Sequence, residues 1–551
     1  MPACIFFHPE GYSTQNDKLM GRHAAGASFL EGFFRYANPC AQFFVQVENQ
    51  AHADQFEALS LSYSRTEKIE VITQNVLGRL SEAETLYIPG PTLGKSATER
   101  SFYNDAAWSL CGVTHTTSSA GAMDQIAQLL TSSVQPWDAL ICTSIAVKKN
   151  VEAILQAQAN YLKERLSIAK LVLPQLPIIP LGVHVKDFEF SESQRLLARE
   201  RLKVSTEDLV VLYVGRLSFH AKAHPLAMYK SLEIAAKQTG KNVTLVECGW
   251  HANEYIENAF SDAAKQLCPS VRVVALDGRL ASERETAWAS ADVFCSFSDN
   301  IQETFGIVPL EAMSAGLPVV VSDWDGYKDT VRHGVDGYRI PTLASPPGSA
   351  GDLAQRHALG IDTYDMYCGH SSSLISVDIG EAANAFSALF ESAELRKTMG
   401  DAGYHRVIDA YDWRSIIPRY EDLWDELGER RKAAVSGTKT PPKHPWPARL
   451  DPSVSFQHYP TAHLSPDSML KLVDQNVESS MAHLESLKKL SMINYAGYVI
   501  PKDAELAKIL SNASSGPKRP EDLMNGIEPT RKARVFRALV WLHKIGILTS
   551  V

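Results

Sequence analysis

Residues Asn300 to Asp325 read NIQETFGIVPLEAMSAGLPVVVSDWD. Two carboxylates, Glu303 and Glu311, stand eight residues apart in this stretch. Between them lie a small turn, Thr304-Phe305-Gly306, and an apolar run from Ile307 and Val308 that reads as the start of a helix. A Gly-Leu-Pro break follows, then the β-branched run Val319, Val320, Val321. A loop carrying one acid, a helix start carrying a second and a buried strand together predict a ligand site at the carboxyl edge of a parallel sheet. The N–H groups of Gly306, Ile307 and Val308 have no intrahelical partner at such a helix start, and the macrodipole there favours an anion. One acid then serves sugar hydroxyls and the other ribose hydroxyls, with a diphosphate between them.

Strand-like and helix-like segments alternate on both sides of this stretch, which predicts an α/β fold with parallel sheets. In the first half, strands are expected over 4–7, 43–47, 85–88, 109–114 and 139–143, with helices over 22–36 and 144–161. Ser144 is the expected N-cap of the second helix. The Pro-punctuated run 176–183 reads as a crossing between domains. Beyond it, strands are expected over 209–214, 243–248, 271–275, 293–297 and 319–321, with helices over 225–239, 281–290, 327–333, 380–390, 394–411 and 412–427. Residues 341–374, rich in Pro, Gly, Ser and His, read as a long loop or insertion.

The expected domains are 1–185, braced by a helix over 412–428, and 186–411, followed by an extended linker over 433–465 and a helical module over 466–551. Within that module, 466–494 reads as amphipathic and helical. Residues 531–547 carry Val535, Leu539, Leu542 and Ile545 at helical spacing and resemble the end of a small helical or winged-helix-like unit.

The 551 residues carry a formal net charge of −9, spread along the chain. That balance argues against a nucleic-acid partner recognised by phosphate neutralisation. Eight scattered Cys without a C-x-x-C give neither a zinc site nor a disulfide framework. No run of 18 apolar residues predicts a membrane span, and the first residues lack the pattern of a signal peptide, so a cytoplasmic protein is expected.

The segment ETFGIVPLEAMSAGLPVV resembles the E-x7-E motif of retaining glycosyltransferases of the GT-B fold, family 4, the glycogen-synthase-like group. The resemblance covers about residues 1–428. It implies two Rossmann-like domains, with the donor held mainly by the second and the acceptor by the first. Gly215-Arg216-Leu217 followed by Lys222 resembles the family's diphosphate clamp, so Arg216 and Lys222 would neutralise the leaving group. Lys222-Ala223-His224 stands where many relatives have Lys-Gly. Glu303, with Thr304, Phe305, Gly306, Ile307 and Val308 beside it, would face the donor sugar and diphosphate, and Glu311 the ribose.

The turn at Gly278 and Leu280 falls at the family's base-binding position, where backbone would pair with the base. Gly21, after Met20, matches the first-domain loop facing the phosphates, and His115 matches the family's sugar-facing histidine. No metal cluster or cofactor motif is found. The implied donor is a UDP- or GDP-sugar, and the acceptor a glycan, lipid or protein hydroxyl. A sugar phosphorylase, a nucleotide-sugar epimerase and a non-catalytic scaffold remain as alternatives. A peripheral membrane or homo-oligomer contact stays open for the C-terminal module.

Overall fold

The computed structural model describes residues 3–12, 21–434 and 445–551. The chain forms two compact units, Met1–Pro447 and Ala448–Val551.

The first unit contains two six-stranded sheets. Sheet one is built from β1 (Cys4–Phe6), β2 (Gln42–Gln46), β3 (Lys68–Ile72), β4 (Thr85–Ile88), β5 (Ser109–Val113) and β6 (Ala139–Ile141), in the order β3-β2-β1-β4-β5-β6. Sheet two is built from β7 (Leu209–Val214), β8 (Val243–Gly249), β9 (Arg272–Asp277), β10 (Val293–Ser296), β11 (Val319–Ser322) and β12 (Gly337–Ile340), in the order β12-β11-β10-β7-β8-β9. Every pairing in both is parallel.

Parallel sheets covered on both faces need uninterrupted apolar strands. Strands β5, β8 and β11 are accordingly buried along their whole length. Each sheet repeats one doubly wound order, so each has a switch point: between β1 and β4, and between β7 and β10. These are the two Rossmann-like folds of the GT-B architecture.

The helix Trp413–Ala434 supplies Trp413, Tyr420 and Trp424 to the core of sheet one. Trp413 Nε1 donates to Ser28 Oγ at 2.7 Å. Glu421 accepts from the Asn38 backbone at 3.0 Å and side chain at 2.8 Å. The Trp413 ring lies directly against Gly32 and Gly182; a Cβ on Gly32 would stand 2.6 Å from Trp413 Cγ. Gly32→Ala and Gly182→Ala are therefore expected to destabilise the chain by about 1–3 kcal/mol through overpacking. Urea unfolding with an unchanged m-value checks this, and wild-type midpoints in both variants would refute it.

Several elements differ from the sequence expectation. Residues 341–374 are not a loop. They hold β13 (Thr342–Ala344), which pairs antiparallel with β14 (Ile375–Val377), and the helices Gly351–Ala358 and Tyr364–Ser372. The first of these helices has 8 residues and buries none of them, so it is too short to stand out as a core helix. The edge strand β3, KIEVI, alternates on a half-covered edge and was not expected. Residues 466–494 are helical only in part: β15 (Leu470–Leu472) comes first, and the helices Val477–Lys488 and Ser491–Asn494 follow. Asn476 caps the first of these by accepting from Ser479 N–H at 3.0 Å, which restarts the chain there.

The helix Pro529–Lys544 runs into β16 (Leu548–Ser550), which pairs antiparallel with β15. The second unit closes its own core around Leu470, Leu484, Ile509, Leu539 and Leu542. Within the expected linker, 435–444 lies outside the described residues, and Pro452–Ser455 forms a short helix. No helix among the described residues is long and apolar enough to cross a membrane.

Candidate active site

The carboxyl ends of β7 and β10 meet at the switch point of sheet two, and most of the expected donor residues converge there. Strand β7 ends in Gly215 with φ +154°, a conformation that side-chain-bearing residues rarely adopt. A Cβ on Gly249, at the end of β8, would collide with Gly215 O, and one on Gly278, just past β9, would lie 3.0 Å from Gly249 Cα. Glycine thus stands at or just past the ends of three adjacent strands, leaving bare backbone at the sheet edge.

Arg216 follows Gly215. Its Nη2 donates to Ala221 O at 2.9 Å and Gln302 Oε1 at 2.8 Å, which fixes the plane of the guanidinium. Lys222 Nζ lies 2.5 Å from Glu303 Oε2, and both side chains are largely buried. Asn300 ties the two loops together. Its side-chain N–H donates to His220 O at 3.0 Å, its Oδ1 accepts from Gln302 N–H at 3.0 Å, and its carbonyl accepts from Trp324 Nε1 at 3.1 Å.

The turn after Glu303 places Gly306 at φ +75°, against the Tyr327 ring, where no Cβ fits. The helix Val308–Ser314 starts immediately beyond, with Ile307 as its N-cap residue and Pro309 in its first turn. No described residue accepts from the N–H groups of Gly306, Ile307 or Val308. Phe305 is buried in the core beneath. Glu311 projects from the first turn. Burial pushes its carboxyl up to about 7, against the opposing pull of Arg284 and Lys222.

The Gly278–Leu280 turn is more committed than the sequence implies. Gly278 N–H donates to Gly249 O at 2.9 Å, and its carbonyl accepts from Arg284 Nη1 at 2.8 Å. Leu280 N–H donates to Asp277 O at 3.0 Å, and its side chain is exposed. Arg284 therefore links the turn to the surroundings of Glu311. No motif in the sequence marks it; it emerges only from the fold.

Residues of the first sheet face this edge. His115, just past β5, accepts at its backbone carbonyl from Thr304 Oγ1 at 3.2 Å. Ser144 caps the helix Ile145–Leu166 by accepting from Val147 N–H at 3.1 Å, as its sequence position predicts. Its Oγ also lies 2.9 Å from Thr304 O and 3.2 Å from Asp325 Oδ1. Ile145 N–H donates to Asp329 Oδ2 at 2.7 Å. Ser118 Oγ and Tyr364 Oη lie 2.8 Å apart, so the helix Tyr364–Ser372, inside the expected loop, also reaches the first sheet. Gly21 opens the helix Gly21–Tyr36, and Met20 lies outside the described residues.

One metal-type cluster that the sequence does not announce is present among the described residues: His8, Glu48 and His52, with candidate ligand atoms within 4.8 Å of one another. His8 Nδ1 accepts from Glu10 N–H at 3.3 Å, which leaves the ring proton on Nε2, facing Glu48 Oε2 at 3.7 Å. One of the two imidazoles therefore has its Nδ1 lone pair engaged already by backbone.

Residues 194–355 match the family described as glycosyl transferases group 1. An uncharacterized glycosyltransferase of Methanocaldococcus jannaschii is 32% identical over 201 residues, 36% of this chain and 46% of that protein. A phosphatidyl-myo-inositol mannosyltransferase of Mycobacterium leprae is 48% identical over 157 residues, 28% of this chain and 30% of that protein. The matched region thus spans less than half the length of either relative. The crystal structure of HepE from Anabaena, in complex with UDP, superposes with a TM-score of 0.50 over 77% of this chain and 100% of that one, at 16% identity. The chain carries a group 1 glycosyl-transferase segment on a GT-B fold.

Proposed function

We propose that this chain is a retaining, family 4 glycosyltransferase that moves a sugar from a UDP- or GDP-sugar to an acceptor hydroxyl. The observation that carries this reading is the charge pattern at one switch point. Arg216, bonded to Gln302, and Lys222, paired with Glu303, sit at the loop leading into Gly306, Ile307 and Val308. The N–H groups of those three find no acceptor among the described residues, and Glu311 follows in the first turn of the helix. That pattern fits a dianionic diphosphate flanked by two polyhydroxylated rings. The group 1 segment and the UDP bound by HepE point the same way.

In this reading the diphosphate lies against Gly306, Ile307 and Val308, with Arg216 gripping two oxygens and Lys222 a third. Glu311 accepts from the ribose hydroxyls and Glu303 from the sugar hydroxyls. The base stacks over the bare edge at Gly215, Gly249 and Gly278, near Leu280. As the glycosidic bond breaks, negative charge grows on the departing phosphate. Fixed cations stabilise that charge more in the transition state than in the ground state. They supply the neutralisation that a divalent metal gives in other transferases, so the proposed reaction is metal-independent.

The acceptor hydroxyl approaches the face the leaving group vacates and gives its proton to a departing phosphate oxygen. His115 and the start of the helix at Gly21 bound the acceptor side. Thr304 donates to His115 O and accepts from Ser144 Oγ, and in this reading those two bonds hold the cleft closed and keep water from the donor.

A thermal-shift panel of nucleoside diphosphates and nucleotide sugars tests the reading. A ligand that binds only the folded chain at 100 times its Kd stabilises it by about 2.7 kcal/mol. UDP or GDP is expected to raise the midpoint by several degrees. No response to any diphosphate or nucleotide sugar would overturn the proposal.

A further inference from the structure

Ser144 is fully buried, yet its hydroxyl has three polar neighbours: Val147 N–H at 3.1 Å, Thr304 O at 2.9 Å and Asp325 Oδ1 at 3.2 Å. A hydroxyl offers one proton and two lone pairs. Val147 N–H occupies one lone pair. Thr304 O can only accept, and it is the nearer of the two oxygens, so it takes the hydroxyl proton. The remaining lone pair then faces Asp325. If Asp325 is a carboxylate, two acceptors compete for one proton in a buried place, and one loses. If Asp325 carries a proton, every group is satisfied.

The backbone adds a second, independent sign. Asp325 sits at φ +40°, in the left-handed region that non-glycine residues enter only when the surroundings hold them there.

We propose that Asp325 is a positioning residue that donates as a carboxylic acid to Ser144 Oγ and so pins the Glu303–Thr304 loop to the first sheet's side of the closed cleft. This rests on the transferase reading above, because that loop carries the acid assigned to the donor sugar. Asp325 touches neither the donor nor the acceptor in this account; it acts through Ser144 and Thr304.

The charged groups around Asp325 agree. Glu303, from the loop after β10, and Asp329, from the helix Tyr327–Thr330, both disfavour a second negative charge, and Lys328 opposes them. Burial first and Glu303 next push the Asp325 carboxyl up to about 8; a Ser144 hydroxyl donated to the carboxylate would pull it down, but that proton goes to Thr304 O. Tyr327, from the same helix, also faces it. The sign follows from linkage. A carboxyl whose closed-state pKa is raised gives its contact in full below the ordinary carboxyl value, and that contact is lost as pH rises through about 8.

Hydrogen–deuterium exchange of the segment 144–150 in the full chain, corrected for intrinsic chemical rates, reads the latch without any donor. The comparison is wild type, Asp325→Asn, Asp325→Ala and Ser144→Gly between pH 5.5 and 7.5, each checked for fold by circular dichroism. Asn is nearly isosteric with the acid and keeps a donor that cannot be lost. Gly is itself a tolerated N-cap residue, so this variant removes the hydroxyl with little loss of helix stability.

The wild-type opening constant is expected to rise with pH, by up to about tenfold per unit for a one-proton linkage. Asp325→Asn should stay protected and flat, Asp325→Ala should be open and flat, and Ser144→Gly should be open throughout. Equal pH slopes in wild type and Asp325→Asn, or an Asp325→Asn chain as open as Asp325→Ala, would overturn the assignment. Turnover across the same range should fall in wild type relative to Asp325→Asn. An intact latch in a chain without transferase activity would sink the functional reading and leave the latch standing.

Discussion

Arg216→Ala and Lys222→Ala are each expected to lower turnover by about a hundredfold or more, the loss seen when one preorganised charge is removed from a developing anion. The geometry makes the two losses different in kind. Arg216 is held flat by Ala221 O and Gln302 Oε1, so its remaining N–H groups present a fixed fork. Arg216→Lys should therefore recover little, since a point charge cannot reproduce a bidentate grip. Lys222 is paired with Glu303 at 2.5 Å. Removing it leaves a largely buried carboxylate without its cation, so Lys222→Ala should also lower the melting temperature, whereas Arg216→Ala should not. Steady-state kcat and kcat/KM with the nucleotide sugar that gives the largest thermal shift, beside melting curves, separate these effects. Near-normal turnover in either alanine variant removes that residue from the clamp.

The sequence carries the frame of this site and little of its closure. Strands such as Val319–Ser322 and Val243–Gly249 are legible because a doubly covered parallel sheet demands unbroken apolar runs. The turn at Gly306 is legible because only glycine fits against Tyr327 at positive φ. The helix Glu254–Leu267 could have been found: Asn253 caps it, and Ile256, Phe260 and Ala264 recur on one face. By contrast, the helix Tyr364–Ser372 buries only Cys368 and Ser372 and offers almost no periodicity, yet it brings Tyr364 to Ser118.

The contacts that Arg284, Ser144 and Asp325 make with distant segments were missed for a different reason. Their roles depend on which strand ends are neighbours, and that adjacency is set by the crossover order of the sheets. Spacing along the chain carries no trace of a contact such as Ser144 with Asp325, separated by 181 positions. The same limit applies to Gly278. Its glycine identity is readable, but the engagement of its N–H and carbonyl by Gly249 and Arg284 is not.

Glu303→Gln and Glu311→Gln are expected to separate the sugar from the nucleotide. Glu311 is assigned to the ribose, which UDP and GDP already contain. Losing charged hydrogen bonds worth about 1.5–3 kcal/mol should weaken binding of the diphosphate alone by roughly ten- to a hundredfold. Glu303 is assigned to the sugar, which the free diphosphate lacks. Glu303→Gln should leave diphosphate affinity unchanged or raise it, because Lys222 is released from its 2.5 Å partner and can turn wholly to phosphate. Its loss should appear in turnover of the intact nucleotide sugar instead, by about a hundredfold.

The pH dependence adds a second axis. Burial holds the Glu311 carboxyl up at about 7, and only its ionised form accepts from two hydroxyls. Affinity of the wild type relative to Glu311→Gln should therefore rise as pH increases through 7 and fall below it. Taking the ratio cancels the ionisation of the phosphate itself. Calorimetry with the diphosphate and the nucleotide sugar, on both variants and at several pH values, reads all of this. If Glu303→Gln weakens the free diphosphate and Glu311→Gln spares it, the two acids have exchanged roles. If neither variant changes either ligand, the donor does not lie between them.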